Sequence, residues 1–169
     1  MRQSHRSVLT PRLEIRRPTE SDRPRFVELF GDEAFMAFSG GPLAAERAHA
    51  RFDRMLARAA ELSFAKQPIV ERSSGTVVGY TGVDWIELEG GRRLEWGYRV
   101  APGARGKGYA TEAGLALLDV ARADHSGEIL GIVHPGNRAS HGVIRKLGFA
   151  HWKRAPVHGE LRDLYRLEV

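Results

Sequence analysis

The feature that most limits what this chain can become is a change of hydrophobic period near residue 101. From Gln67 to Val100 apolar and polar residues alternate, with turn chemistry at Ser73-Ser74-Gly75 and at Glu89-Gly90-Gly91-Arg92. Alternation marks strands with one covered face, so three strands in a meander are expected, near Ile69–Glu71, Val77–Ile86 and Arg93–Val100. Then comes Pro102-Gly103-Ala104-Arg105-Gly106-Lys107-Gly108, and over Tyr109–Asp124 the residues Ala113, Leu117, Val120 and Ala121 recur at helical spacing. A strand that runs through a glycine-rich loop into a helix leaves the first-turn N–H groups unpaired at the positive end of the helix dipole. That is an anion site, and its chemistry suits a phosphate or pyrophosphate.

Two common phosphate loops fail on spelling. A Walker loop needs Ser or Thr after Gly-Lys, and Gly106-Lys107 is followed by Gly108. A dinucleotide fingerprint starting at Gly106 wants Gly or Ala at 111, where Thr111 stands, and it opens a βαβ unit rather than following a meander.

Elsewhere the pattern alternates between strands and helices. Arg12–Arg16 reads as a half-buried strand closed by Pro18. Ser21 is the expected cap of a first helix that tolerates Pro24 in its first turn, carries Phe26, Val27, Leu29 and Phe30, and stops at Gly31. After Gly40-Gly41-Pro42, the residues Ala48, Phe52, Met55, Leu56, Ala59 and Leu62 recur as one face of a longer helix. Ile129–Val133 is a short apolar strand, Arg138–Leu147 a helix ended by Gly148, and Trp152 and Leu164–Val169 fall in two last strands. No repeat or linker interrupts this order. The expectation is a flexible tail over 1–10 and one α+β domain over 11–169.

With 169 residues the chain suits one compact core. It has no cysteine, which removes disulfides, thiolate metal sites and a cysteine acyl-enzyme. His134, His141, His151 and His158 form no helix-spaced pair, so no metal site is expected. The start carries charge but no apolar run, and no stretch has the length of a membrane span, so a cytoplasmic protein is expected. The net charge of +5 suits an acidic ligand without naming one. Arginine far outnumbers lysine without a basic low-complexity run or RNP-type motif, which disfavours nucleic acid as the partner.

Arg105, Gly108 and Ala110 satisfy the pattern Arg/Gln-x-x-Gly-x-Gly/Ala, and through it the chain resembles the GNAT superfamily of N-acetyltransferases. Leu94-Glu95-Trp96-Gly97-Tyr98-Arg99-Val100-Ala101-Pro102 is similar to the acidic strand before this loop in the RimJ/RimL-like branch. Asn137-Arg138-Ala139-Ser140, Leu147-Gly148-Phe149 and Leu13–Thr19 resemble other parts of that branch in the same order. The segment Phe64–Glu71 departs from the pattern, lacking the aromatic residue expected in its second strand.

The resemblance implies a GNAT fold, a mixed and mostly antiparallel sheet flanked by helices and splayed near Val100. It implies acetyl-CoA as cosubstrate and an amine as acceptor, either a small molecule or a protein N-terminus such as that of a ribosomal protein. A homodimer is compatible with it. By that resemblance the backbone of Arg105, Gly106, Lys107, Gly108, Tyr109 and Ala110 holds the pyrophosphate, Asn137 meets the pantetheine arm, and the Val100 strand pairs with its amides. Edge pairing with an amide-bearing arm is physically sensible. Glu95 either balances Arg93 or Arg99 or takes the proton of the incoming ammonium, and Ser140 is either a first-turn polar residue or the group that assists the leaving thiolate. The catalytic reading of both is the expectation. Tyr165 is either a packed strand aromatic or a further site residue. A domain that binds CoA without turnover is the alternative to an enzyme.

Overall fold

The computed structural model describes residues 7–169. One eight-stranded sheet organises them, in the order β1-β2-β3-β4-β5-β6-β8-β7. Its strands are β1 (Val8–Leu9), β2 (Leu13–Ile15), β3 (Gln67–Glu71), β4 (Thr76–Leu88), β5 (Gly91–Val100), β6 (Glu128–Val133), β7 (Ala150–Val157) and β8 (Glu160–Glu168). The helices are α1 (Arg23–Phe30), α2 (Glu33–Met36), α3 (Ala45–Glu61), α4 (Tyr109–Asp124) and α5 (Arg138–Lys146). All strand pairs are antiparallel except β5 with β6. The sheet is thus mixed, mostly antiparallel and flanked by helices.

Alternation along β4 and β5 divides the sheet into two faces. Leu94 and Trp96 are buried with Ala113, Leu117 and Leu118 of α4 and Ile144 of α5. On the other face Tyr80 lies among Phe26, Phe30 and Phe52, where α1 and α3 close the second core. The Phe26 and Phe52 rings stack at 5.4 Å. Full burial of such a ring contributes about 2–3 kcal/mol, enough to hold a helix whose own propensity is marginal. Ala48, Phe52, Met55 and Ala59 are the buried residues of α3, as its helical repeat requires.

The expected elements occur, with longer strands than the alternation alone delimits except β2, which is Leu13–Ile15 where Arg12–Arg16 was expected. Three details differ. Val8 and Leu9, within the tail expected over 1–10, pair with Ile15 and Glu14, while residues 1–6 lie outside the described residues. Thr19 rather than Ser21 begins the first helical segment: a 3-10 turn over Glu20–Asp22 carries a capping box in which Asp22 accepts from Thr19 N at 2.8 Å. The single-turn α2, capped by Asp32 accepting from Phe35 N at 2.7 Å, has too few residues to show a period.

The pairing of β5 with β6 is the feature that positions the site. It covers only Leu94↔Ile129, Glu95↔Leu130 and Trp96↔Gly131. Beyond that, β5 stays paired with β4 as far as Gly79↔Val100, and β6 stays paired with β8 as far as Val133↔Asp163. Gly97–Val100 therefore present a strand edge without a β6 partner. This is the splay expected near Val100, beginning three residues earlier.

Candidate functional site

The glycine-rich loop reaches α4 through a 3-10 turn, Pro102–Ala104, and an extended Arg105. Gly106 and Gly108 have φ of 75° and 79°, and Gly108 is the N-cap of α4. This left-handed region costs an L side chain about 1–2 kcal/mol, which is the local reason for glycine at both places. The first hydrogen bond of the helix start runs from Glu112 N to Gly108 O at 3.0 Å. The N–H groups before it have no partner inside the helix, as an anion site requires.

Side chains around the loop fix it more than they point into it. Arg105 donates from Nε to Val100 O at 3.2 Å and from Nη2 to Ala34 O at 2.9 Å, so it ties the loop to β5 and α2. Lys107 Nζ lies 3.6 Å from Glu71 Oε1, to which the Tyr109 hydroxyl also donates at 2.5 Å. That hydrogen bond from Tyr109 holds the Glu71 carboxyl below its usual range and raises the Tyr109 phenol. Ala110 occupies the first turn of α4. Arg12, on no expected site, reaches the loop from across the fold. Its Nη2 lies 3.6 Å from where a Gly108 Cβ would stand, and its guanidinium covers the Tyr109 ring at 4.8 Å. Arg12 also pairs with Glu112 at 2.6 Å, offsetting a carboxylate that stands in the first turn of an anion-binding helix.

At α5, Asn137 is the N-cap, and its side chain accepts from Ser140 N at 3.1 Å. Ser140 Oγ donates to the Tyr98 hydroxyl at 2.9 Å, and Tyr98 in turn donates to Ser140 O at 2.8 Å. Burial pushes the Tyr98 phenol up to about 12, against the opposing effect of its hydrogen bond with Ser140. Tyr98 therefore stays protonated, and the two-bond contact fixes Ser140 beside the unpaired edge of β5. Residue order alone shows Tyr98 beside Glu95 but not its contact with a helix 42 residues on.

Glu95 projects to the opposite face. Its Oε2 lies 3.6 Å from Lys66 Nζ, each side chain being 20% exposed. Neither arginine expected as a balancing partner pairs with it: Arg93 binds Glu128 at 2.8 Å, and Arg99 reaches Ser39 and the sulfur of Met36. Lys66 is thus the neighbour that the sequence pattern missed, because it precedes β3 and meets β5 only through the fold. Glu95 touches none of the other expected site residues. Of those, the structure joins Val100 with Arg105, and Asn137 with Ser140.

Tyr165 is fully buried, and its hydroxyl meets His141 Nδ1 at 2.7 Å. His141 lines a cavity of about 470 Å³ with Arg138, Arg145, His151, Arg154 and Asp163. Hydrogen bonds from Arg154, aided by His151, hold the Asp163 carboxyl down at about 2 despite its burial. Among the described residues no group of three or more His, Cys, Asp or Glu stands ready to hold a metal ion.

The chain and its fold have counterparts in known proteins. L-methionine sulfoximine/L-methionine sulfone acetyltransferase of Pseudomonas paraeruginosa is 33% identical over 94 residues, 54% of this chain and 55% of that relative. The chain thus matches about half the length of this curated relative. An acetyltransferase from Agrobacterium tumefaciens has the same fold with a TM-score of 0.82 at 25% identity, over 96% of this chain and 94% of that one. Ribosomal-protein-S5-alanine acetyltransferase from Vibrio fischeri superimposes with a TM-score of 0.75 at 17% identity, over 96% of each chain, a likeness of fold alone. The model of the acetyltransferase (GNAT) domain matches residues 12–150, a span that runs from Arg12 through the glycine-rich loop and α5, and the chain belongs to that family of acetyl-CoA-using acetyltransferases.

Proposed function

We propose that the chain moves an acetyl group from acetyl-CoA to a primary amine by direct transfer, with Glu95 serving the amine and Ser140 the leaving thiolate. One observation carries this reading: the two residues lie on opposite faces of the sheet, on either side of the place where β5 and β6 stop pairing. The loop from Gly106 to Ala110 supplies unpaired backbone N–H groups at the same end of β5, while the Arg105 N–H expected among them is spent on Pro102 O at 3.3 Å, so the fit to a pyrophosphate rests on positive-φ glycines and a free helix start. The edge from Gly97 to Val100 offers N–H and C=O groups to an amide-bearing arm.

In this reading each residue has a separate task. An alkyl ammonium with a pKa of roughly 10 must lose a proton before it can attack, and Glu95 takes it, directly or through water. Ser140 gives the departing sulfur a hydrogen bond. Tyr98 keeps Ser140 in place and, with its phenol raised to about 12, does not itself give up a proton. Asn137 sets the first turn of α5 that carries Ser140.

The acceptor we favour is the α-amine of an amino acid or a close analogue, because the methionine sulfoximine acetyltransferase is a relative at 33% identity over 94 residues. A protein N-terminal α-amine is the second acceptor class, suggested by the resemblance of Leu94–Pro102 to the acidic strand of the RimJ/RimL-like branch. A panel of amino acids, sulfoximines, polyamines and short peptides, assayed for CoA release, tests the proposal. Release with amino-acid amines and little with peptides is expected. Tight CoA binding with no release from any amine would leave a CoA-binding module instead of an enzyme.

A further inference from the structure

Lys66 brings a primary amine to the carboxylate that the proposed reaction assigns to the acceptor. Its backbone is fixed, with N–H donating to Val83 O at 3.0 Å next to the Ala65–Val83 bridge. From there the side chain crosses β5 at Gly97, where an added Cβ would lie 2.9 Å from Lys66 Cε and 3.1 Å from Nζ. A side chain at 97 would push the end of Lys66 out of this path. The ammonium ends 3.6 Å from Glu95 Oε2, and Gly97 is the first residue of β5 beyond its last pair with β6. A primary amine, the carboxylate assigned to deprotonate amines, and the opening of the strand gap thus meet at one point. The chain has only four lysines, Lys66, Lys107, Lys146 and Lys153, against many arginines. Arginine cannot replace lysine as an acyl acceptor, because its guanidinium stays protonated.

We propose that Lys66 is a self-acetylation site, taking the acetyl group of acetyl-CoA bound to the same chain when no acceptor amine is present. The proposal rests on the transfer reading above. Glu95 removes one proton from the Lys66 ammonium and passes it to solvent. The freed Nζ lone pair forms a bond to the thioester carbonyl carbon, the carbon–sulfur bond breaks, and the second nitrogen proton ends on the leaving sulfur. The products are an Nε-acetyl-lysine, CoA thiol and one released proton. The amide is neutral and stable, so it no longer pairs with Glu95 and does not hand its acetyl group on. Enzyme held with acetyl-CoA alone therefore loses amine turnover as Lys66 is acylated, and an acceptor amine protects it.

The test is to incubate the full chain with acetyl-CoA alone, then measure intact mass and map the acetylated peptides. Label is expected first at Lys66, with Lys107, Lys146 and Lys153 reporting chemical background on the same molecule. Glu95→Gln should slow labelling of Lys66 by about a hundredfold and leave the other three unchanged. Lys66→Arg should remove the leading label. The proposal is overturned if Lys66 is acetylated no faster than the other three, if Glu95→Gln labels it at the wild-type rate, or if it stays unlabelled in a preparation that acetylates an amine. A preparation that neither binds acetyl-CoA nor turns over any amine overturns the transfer reading itself, which separates the two failures.

Discussion

Gly108 has a φ of 79° and no neighbour closer than 3.6 Å to its absent Cβ, so a side chain there costs conformation rather than space. Gly108→Ala should lower stability by about 1 kcal/mol and Gly108→Val by more, since a branched residue is least tolerant of that region. The strain also reorients the helix-start N–H groups, so CoA affinity should fall at least tenfold. Calorimetry that finds wild-type affinity in folded Gly108→Val removes the loop from the binding site. Glu95→Gln should lower kcat by about a hundredfold or more with CoA affinity intact, and raised pH should partly restore it by supplying neutral amine. Ser140→Ala should slow turnover by a smaller factor without that rescue. Wild-type kcat in both folded variants would strip both residues of a catalytic role. Tyr98→Phe leaves Ser140 Oγ without its partner, so it should reproduce part of the Ser140→Ala defect in kcat. Gly108 and Glu95 were legible as letters in a pattern. Tyr98, Lys66 and Arg12 were not, because their meaning lies in contacts made by chain segments far away in sequence.

The helix α5 and the hairpin of β7 and β8 carry the site's frame. Asn137 caps α5 through a 3.1 Å bond with Ser140 N, so Asn137→Ala should cost about 1 kcal/mol and also loosen Ser140. Chemical denaturation beside kcat for the same variant checks both effects, and Asn137→Asp, which keeps the cap, should recover most of the stability. In β8, Asp163 is buried and accepts from Arg154 Nε at 3.0 Å and Nη2 at 2.9 Å. Its folded pKa of about 2 lies below the unfolded value of roughly 3.9, so its contribution is complete above about pH 4 and is lost as pH falls toward 2. Asp163→Asn should therefore flatten this part of the acid limb when denaturation midpoints are compared across that window. Elements of ten or more residues announce themselves by period, as α3 and α4 do. The two-residue β1 and the single turn of α2 do not, since β1 exists by pairing with β2 and α2 by its Asp32 cap and the packing of Phe35.

Across the whole molecule, the sheet puts the two groups assigned to the proposed reaction on different faces. The glycine-rich loop leads into α4, which packs on the face holding Leu94, Trp96 and Ser140's partner Tyr98, while Glu95 and Lys66 belong to the face closed by α1 and α3. The short pairing of β5 with β6 leaves the strand gap as the place where groups from both faces can meet. This arrangement favours an amine attacking the thioester directly over an acyl group parked on the protein. The chain has no cysteine. Ser140 Oγ donates to a phenol rather than to an imidazole, and the adjacent His141 turns its ring to Tyr165 and Pro135. No side chain beside Ser140 is thus arranged to make it a nucleophile. Steady-state kinetics with acetyl-CoA and the best amine should give intersecting double-reciprocal lines, the pattern of a ternary complex. Acetyl-Lys66 does not alter this, because an amide formed there is a dead end. Parallel lines, or a trapped acetyl-enzyme that transfers its label to added amine, would replace direct transfer with a two-step mechanism and require a nucleophile other than those found at the gap.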